Sequence, residues 1–327
     1  MYARWDANDG GIEMKRTLML SLFLTPLLLS ACGTEDAPSD TSQSENVTTT
    51  TKDEWQRVGS DETVSHIHGA GFWQDDERLV IATHAGLMEY REDGWYTLPT
   101  NRHDYMGFEV VEDGFYASGH PDRRTDFKNP LGVMHGKNHG AVLESRSLEG
   151  EADFHYMSAG YATGTLYVYL EEATSELEPG FYRSIDGGKS FEPMQVQGIE
   201  EAQVAGIVAD TTEAARVFLY GPSGILVSND FGDSFDPLVE SEQVITVGAD
   251  EGQLAYVRQT DGAFEGVRFN LDDESTETFN LPELQADVVP IELAVNEERM
   301  LLVTSNNSVY ELIDEKWQTQ LDAGELD

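Results

Sequence analysis

The chain has 327 residues, with 61 Asp and Glu against 20 Lys and Arg, a formal charge of -41, 39% apolar residues and a single cysteine. That much negative charge excludes a nucleic-acid binder, because phosphate neutralisation by basic side chains supplies most of such affinity, and it repels anionic lipid headgroups for the same reason. One cysteine excludes an intrachain disulfide, while the apolar fraction is enough for a sizeable core.

In chain order, residues 1–13 (MYARWDANDGGIE) fit no targeting pattern, and Met14 stands immediately before Lys15-Arg16. Residues 1–13 are therefore read as a mis-annotated leader, with Met14 as the true start. Residues 14–31 read as a signal peptide: a basic pair, then the run TLMLSLFLTPLLLSA, too short for a bilayer span of about 20 residues. The ending Leu29-Ser30-Ala31-Cys32 resembles the lipobox of bacterial lipoproteins. That resemblance implies acylation of Cys32, which becomes the mature N-terminus and anchors the chain to the membrane.

Residues 33–53 contain no aromatic side chain and almost nothing apolar, so burial cannot offset the entropy of ordering them. Residues 32–53 are expected to be a lipidated cysteine and a tether, with an r.m.s. reach on the order of 25 Å. The expected address is the bacterial cell surface, on the outer face of the cytoplasmic membrane or cell envelope.

From Trp55 onward, segments of four to eight residues rich in Val, Tyr, Phe and Leu alternate or run apolar between Gly, Asp and Asn clusters. A glycine followed by apolar and aromatic residues recurs at Gly86, Gly132, Gly180, Gly224 and Gly262, with Ser308 in the same place. The spacings are 46, 48, 44, 38 and 46 residues, and a four-stranded propeller blade needs roughly 40–45. The expected fold is an all-β propeller of six or seven blades over residues 54–321, followed by a tail at 322–327. The stretch Glu54-Trp55-Gln56-Arg57-Val58 looks like the outer strands around Trp95 and Trp317, and is expected to close the ring against the last blade.

Two turns match S-x-D-x-G-x-S-F: Ser184, Asp186, Gly188, Ser190 and Phe191, then Ser228, Asp230, Gly232, Ser234 and Phe235. The carboxylate of such a turn accepts backbone N–H bonds, glycine takes a φ that only it tolerates, and the aromatic seats the following strand. The two aspartates are one blade apart. Here the chain resembles the Asp-box (BNR-repeat) propellers, the group that includes sialidases, sortilin-type receptors and photosystem assembly factors. The stretches His66-Ile67-His68-Gly69, His84-Ala85-Gly86-Leu87 and Gly119-His120-Pro121-Asp122 resemble bacterial surface lipoproteins labelled glycosyl hydrolases. The resemblance implies a structural role for the Asp-box residues, on hairpins away from the ligand face.

All eight histidines fall between residues 66 and 155. On the blade scheme His66, His68, His84, His103, His120 and His155 point toward one rim, where inner strands start and second strands end. His66 and His68, two apart on a strand, present both rings to one side, a way to offer two nitrogens to one transition metal. His84, His103 and His120 are further candidate ligands, and Asp104 and Asp122 can complete the set or orient a ring. His135 and His139 belong to the opposite hairpin and are expected to be structural.

A sialidase would need three arginines converging on a carboxylate, and neither the Arg-Ile-Pro start nor that arrangement is present. Other glycoside hydrolysis uses two carboxyl groups at a set separation. The rim candidates for catalysis are Asp104, Asp122 and Asp126, beside Arg123. Phe72, Trp73, Tyr105 and Tyr161 are aromatics that stack on a sugar or sit in the core. The favoured reading is a surface-anchored propeller that binds a glycan, a protein partner or a metal at its His-rich rim. The alternative is a glycoside hydrolase or metal-assisted hydrolase acting on extracellular carbohydrate.

Overall fold

The computed structural model of the chain describes residues 47–49, 54–196, 199, 203–296 and 299–326. Cys32, the residues read as a leader and signal peptide, and most of the stretch read as a tether lie outside the described residues. Within that stretch, Val47–Thr49 forms a strand.

The described residues form a six-bladed β-propeller with no α-helix, each blade an antiparallel sheet whose four inner-to-outer strands follow one another in sequence. The inner strands are Ile67–Phe72, Asp104–Val111, Tyr156–Ala159, Gly206–Ala209, Gln243–Asp250 and Pro290–Asn296, in blades 1 to 6. Each is followed outward by a second, a third and a fourth strand. Blades 1 and 2 carry a fifth, outermost strand, Gln56–Arg57 on the former and Val47–Thr49 on the latter.

The second strands explain why the chain packs this way. Leu79–Thr83 is buried throughout, and successive side chains point to opposite faces of a strand. Leu79 and Ile81 therefore join the apolar cluster shared with blade 6, while Val80 and Ala82 join that shared with blade 2. The same division recurs in blade 5, where Leu254 and Tyr256 face blade 4 and Ala255 and Val257 face blade 6. Each blade is thus covered on both faces, which accounts for continuous apolar runs where a half-exposed sheet would show alternation. Burying one such Leu, Ile or Val contributes about 1.5–3 kcal/mol.

Close approach near the axis depends on small residues. A Cβ on Gly107 would stand 2.4 Å from the carbonyl oxygen of Phe154, and one on Gly248 the same distance from that of Leu293. Side-chain hydroxyls also stitch neighbouring blades: the Phe154 N–H donates to Ser118 Oγ at 2.9 Å, and the Ala209 N–H to Ser158 Oγ at 3.0 Å.

Ring closure differs from the sequence expectation. Gln56–Arg57 pairs with Gly94–Thr97 of its own blade rather than with the last blade. Blades 1 and 6 instead meet through an apolar cluster that includes Ile67, Ile81, Trp95, Leu301 and Val303. The Val64 N–H donates to Gly324 O at 2.8 Å, Trp95 Nε1 donates to Gln320 O at 3.0 Å, and Leu326 is buried. The residues read as a tail are therefore docked on the first blade. The extra outer strand resembles those of other blades in composition, but it adds to an existing sheet edge and leaves the count at six.

The two S-x-D-x-G-x-S-F turns lie between third and fourth strands of blades 3 and 4. Asp186 Oδ1 accepts from the backbone N–H groups of Lys189 and Ser190 at 3.0 Å, and Oδ2 from Ser190 Oγ at 2.6 Å. Asp230 repeats this with Ser234, at 2.9 and 2.6 Å. Ser184 Oγ and Ser228 Oγ each donate to the turn aspartate and accept from the backbone N–H of Gly188 or Gly232. Phe191 and Phe235 pack on the apolar clusters flanking blade 3.

Candidate metal centre at the channel rim

The start of each inner strand and the turn after each second strand lie at one end of the central channel, and three successive blades place ionisable residues there. His66 and His68 flank the start of the first inner strand, and His84 follows Leu79–Thr83 on a tight turn. In that turn Thr83 Oγ1 donates to Gly86 O at 2.8 Å and accepts from the Ala85 N–H at 3.0 Å. Asp104 opens the second inner strand.

The three rings stack about His84, with centroids 4.6 Å from His66 and 4.7 Å from His68, and His66 and His68 are 6.3 Å apart. His66 reaches the rim through a backbone φ of 54°, and a bulge separates Ile67 from Gly69, so the pair is not two positions of one regular strand. His68, His84 and Asp104 each bring one ligand atom within 4.8 Å of the others. His66 stands beside this group as a stacking neighbour.

Two atoms of the group lack the partners that buried polar atoms ordinarily have: His68 Nε2 and Asp104 Oδ1 are both buried and without a hydrogen bond. The nearest contact of Asp104 Oδ1 across the group is His84 Nε2, at 3.7 Å. Burial pushes the His68 imidazole down to about 4, with the charge of His84 acting in the same direction and that of Asp104 opposing it. His68 is consequently neutral at pH 7, the form in which imidazole coordinates a metal.

The next blade extends the rim. His120 Nδ1 donates to Asn129 Oδ1 at 2.7 Å, and its Nε2 lies 3.3 Å from Asp153 Oδ2. His155 Nδ1 lies 3.0 Å from Glu171 Oε2, and its Nε2 lies 3.8 Å from the same Asp153 oxygen. Asp153 Oδ1 is buried without a hydrogen bond. Burial raises the Asp153 carboxyl above its ordinary range, against the charges of His155 and His120.

Other sequence candidates are placed differently. His103 is fully buried, edge-on to Tyr105 and Phe127, and accepts the Asp122 N–H on Nδ1 at 2.9 Å. Burial pushes it down to about 4, and its ring supports the loop after the second strand rather than joining the metal-ligating group. Asp122 is held by Arg124, whose Nη2 lies 2.6 Å from Oδ2, and that bond carries its carboxyl down to about 2, unsuited to a general acid. Arg123 and Asp126 are exposed on the following loop. Phe72, Trp73 and Tyr105 are core residues, and the partly buried Tyr161 lines the channel.

At the opposite end, His139 bridges blades 1 and 2. Its Nδ1 meets Glu89 Oε2 and its Nε2 meets Asp75 Oδ1, each at 2.7 Å, while Trp73 stacks on the ring at 4.5 Å. Carboxylates only accept, so both nitrogens carry protons and neither offers a lone pair to a metal. The fully buried Glu89 also accepts from Trp73, Arg78 and Arg91. Burial would raise its carboxyl, but the bonds from His139 and Arg91 outweigh this and hold it at about 2. His135 stacks on Tyr116 and accepts from Arg146 at 2.6 Å.

The channel encloses about 640 Å³ and is lined by His68, Glu109, His155, Tyr156, Tyr220 and Glu292 among others, and its described lining holds no lysine or arginine. Burial deep in the ring pushes Glu109 up to about 8, helped by the charge of Glu292 and opposed by a 3.2 Å bond from Ser158 Oγ. Burial pushes Glu292 up to about 7. Tyr156 and Ile291 are exposed apolar side chains at the same mouth as the histidines.

Sequence reasoning missed Asp153, Glu171, Glu109 and Glu292. For the first there was a signal: Asp153-Phe154-His155 is a third pair of ligand-type residues at the start of an inner strand, after His66/His68 and His103-Asp104.

No family model and no curated protein matches the chain. Solved structures do. The GH74 xyloglucanase from Xanthomonas campestris is 13% identical, with a TM-score of 0.50 over 81% of this chain and 46% of that one. The GH74 enzyme from Niastella koreensis is 10% identical, with a TM-score of 0.52 over 81% and 46%. A chain of the nidogen/laminin complex is 14% identical, with a TM-score of 0.53 over 76% and 95%. The chain spans about half the length of the GH74 enzymes. At these identities the likeness is one of fold: a propeller similar to those of a glycosyl hydrolase family and of a protein-binding complex.

Proposed function

We propose that this chain is a surface-anchored propeller lipoprotein, held through Cys32, which binds its ligand at the histidine-bearing mouth of the channel through a metal ion. The observation that carries the reading is the meeting of His68, His84 and Asp104 within 4.8 Å, with His68 Nε2 and Asp104 Oδ1 buried and without a hydrogen bond. Two imidazoles and one carboxylate suit Zn²⁺ or another divalent transition ion and leave coordination positions open for an incoming ligand. The S-x-D-x-G-x-S-F turns serve as Asp-boxes that fix hairpins on blades 3 and 4. The ligand is a glycan or a surface protein, met by Tyr156 and Ile291 around the ion. A chain this acidic does not bind nucleic acid.

Elemental analysis of the chain purified without a histidine tag tests the metal. One equivalent of a transition metal is expected in the wild type, and a His68→Ala/His84→Ala variant that keeps its fold loses it. A wild type that takes up no Zn²⁺ after dialysis against it contradicts the proposal.

A second reading, hydrolysis of carbohydrate, is favoured by one observation: the raised Glu109 and Glu292 carboxyls retain a proton near neutral pH, as a general acid must. In that reading the acid is sought in the channel rather than at Asp104, Asp122 or Asp126. Release of reducing ends from a β-glucan, abolished in Glu109→Gln, would establish it, and no release would remove it.

A further inference from the structure

Buried carboxyl groups elsewhere in this protein are compensated by basic side chains, and those of the channel are not. Glu89 is met by Arg78, Arg91 and His139, Glu311 by Arg299 and Gln320, and Asp210 by Arg216. Such partners offset the cost of taking a charge out of water. Glu109 and Glu292 face the channel from the inner strands of blades 2 and 6, where the described lining offers neither lysine nor arginine. Glu109 receives one bond from Ser158 Oγ at 3.2 Å, and Glu292, withdrawn from bulk water, has no hydrogen bond or ion pair among the described residues. The two are close enough for the charge of Glu292 to act on Glu109, and the Tyr220 phenol lies within reach of the same charge. Apolar side chains at both positions would avoid that cost.

Their counter-charge must come from outside the chain. A metal ion needs several ligand atoms drawn together, and the groups of three that approach within 4.8 Å lie elsewhere among the described residues. The space, about 640 Å³, is instead that of a small-molecule site. Tyr156 and Tyr220 give it aromatic surface on which an organic cation can rest, and Glu112, Asp250 and Glu251 continue the acidic lining where inner strands end. We propose that the channel binds a linear polyamine, with one ammonium group between Glu109 and Glu292 and others toward Glu112, Asp250 and Glu251. The net charge of -41 draws such a ligand in. The inference does not depend on a metal at the mouth.

Binding and protonation are then linked. In the free protein the carboxyls hold their protons up to about pH 7 for Glu292 and about pH 8 for Glu109, and an ammonium group beside them favours the ionised form. Uptake near pH 7 therefore releases protons, and affinity falls as pH drops further. Burial raises the Tyr220 phenol away from this range, so it keeps its proton throughout.

Spermidine is the probe, titrated calorimetrically into the metal-free full chain near pH 7, in two buffers of different ionisation enthalpy and at about 0.15 M salt to screen exposed charge. Saturable binding with proton release is expected in the wild type. Affinity should be about tenfold or more weaker in Glu109→Gln/Glu292→Gln. It should be unchanged in Asp314→Asn/Glu315→Gln, which removes the same charge from an exposed hairpin. Equal loss in the two variants, uptake without proton release, or a wild type that binds no spermidine overturns the proposal. Proton release is read on the wild type, so a folding defect in the channel variant cannot imitate it.

Discussion

Single residues at the rim and in the channel show how burial decides chemistry here. The same desolvation that keeps His68 neutral and able to coordinate keeps Glu109 and Glu292 protonated where an exposed glutamate would be ionised. A carboxyl whose folded-state pKa is raised stabilises the fold below its unfolded value near 4.5, and that contribution is lost as pH rises through its folded value. For these two residues the loss runs up to about pH 7 for Glu292 and about pH 8 for Glu109. Replacing both with glutamine in metal-free protein should raise the thermal midpoint at pH 8 relative to the wild type and leave it nearly unchanged at pH 4.5. Equal shifts at both pH values would show that the channel does not hold them neutral. Neither glutamate stands out in the sequence, because each is one acid among 61 and they approach only across the channel, from blades 2 and 6.

Among the elements, the blades were legible from the start, since apolar segments recur between turn residues at the spacing of one blade; that a run such as Leu79–Thr83 is covered on both faces is seen only in the packed ring. The turn chemistry was legible as well, because Ser184, Asp186 and Ser190 act within one hairpin and their bonds are local. What local pattern does not reveal is which edge an isolated strand joins. Gln56–Arg57 has the composition of an outer strand, and its choice of Gly94–Thr97 follows from tertiary packing of Trp55 in the cluster between blades 1 and 2. Burial would raise the Asp186 carboxyl, but the bonds from Ser190 and Ser184 bring it down to about 2, so its contribution to stability is full above about pH 4 and is lost as pH falls through about 2. Asp186→Ala removes four hydrogen bonds in one step. It should cost about 1–3 kcal/mol, and hence lower the thermal midpoint by several degrees, without altering Zn²⁺ binding at the rim. A midpoint within error of the wild type would show that the turn closes without its carboxylate.

At the scale of the whole molecule the candidate site is a product of the ring. Packing of the inner strand of blade 1 against that of blade 2 brings Asp104 to His68 and His84, and Gly69, with a Cβ position only 3.0 Å from Phe108 O, sets how closely those strands approach. Sequence alone located the histidine-rich rim, since repeat spacing tells which ends of strands share a face. It could not separate ligands from supports: His103 looked equivalent to His68 until its ring was seen buried beneath Asp122. The likeness to GH74 enzymes and to the nidogen/laminin complex is one of fold. The most direct test is anomalous diffraction from crystals of the chain soaked in Co²⁺ or Zn²⁺. A peak is expected about 2 Å from His68 Nε2, with His84 and Asp104 completing the set. A mouth without a peak at saturating metal would contradict it.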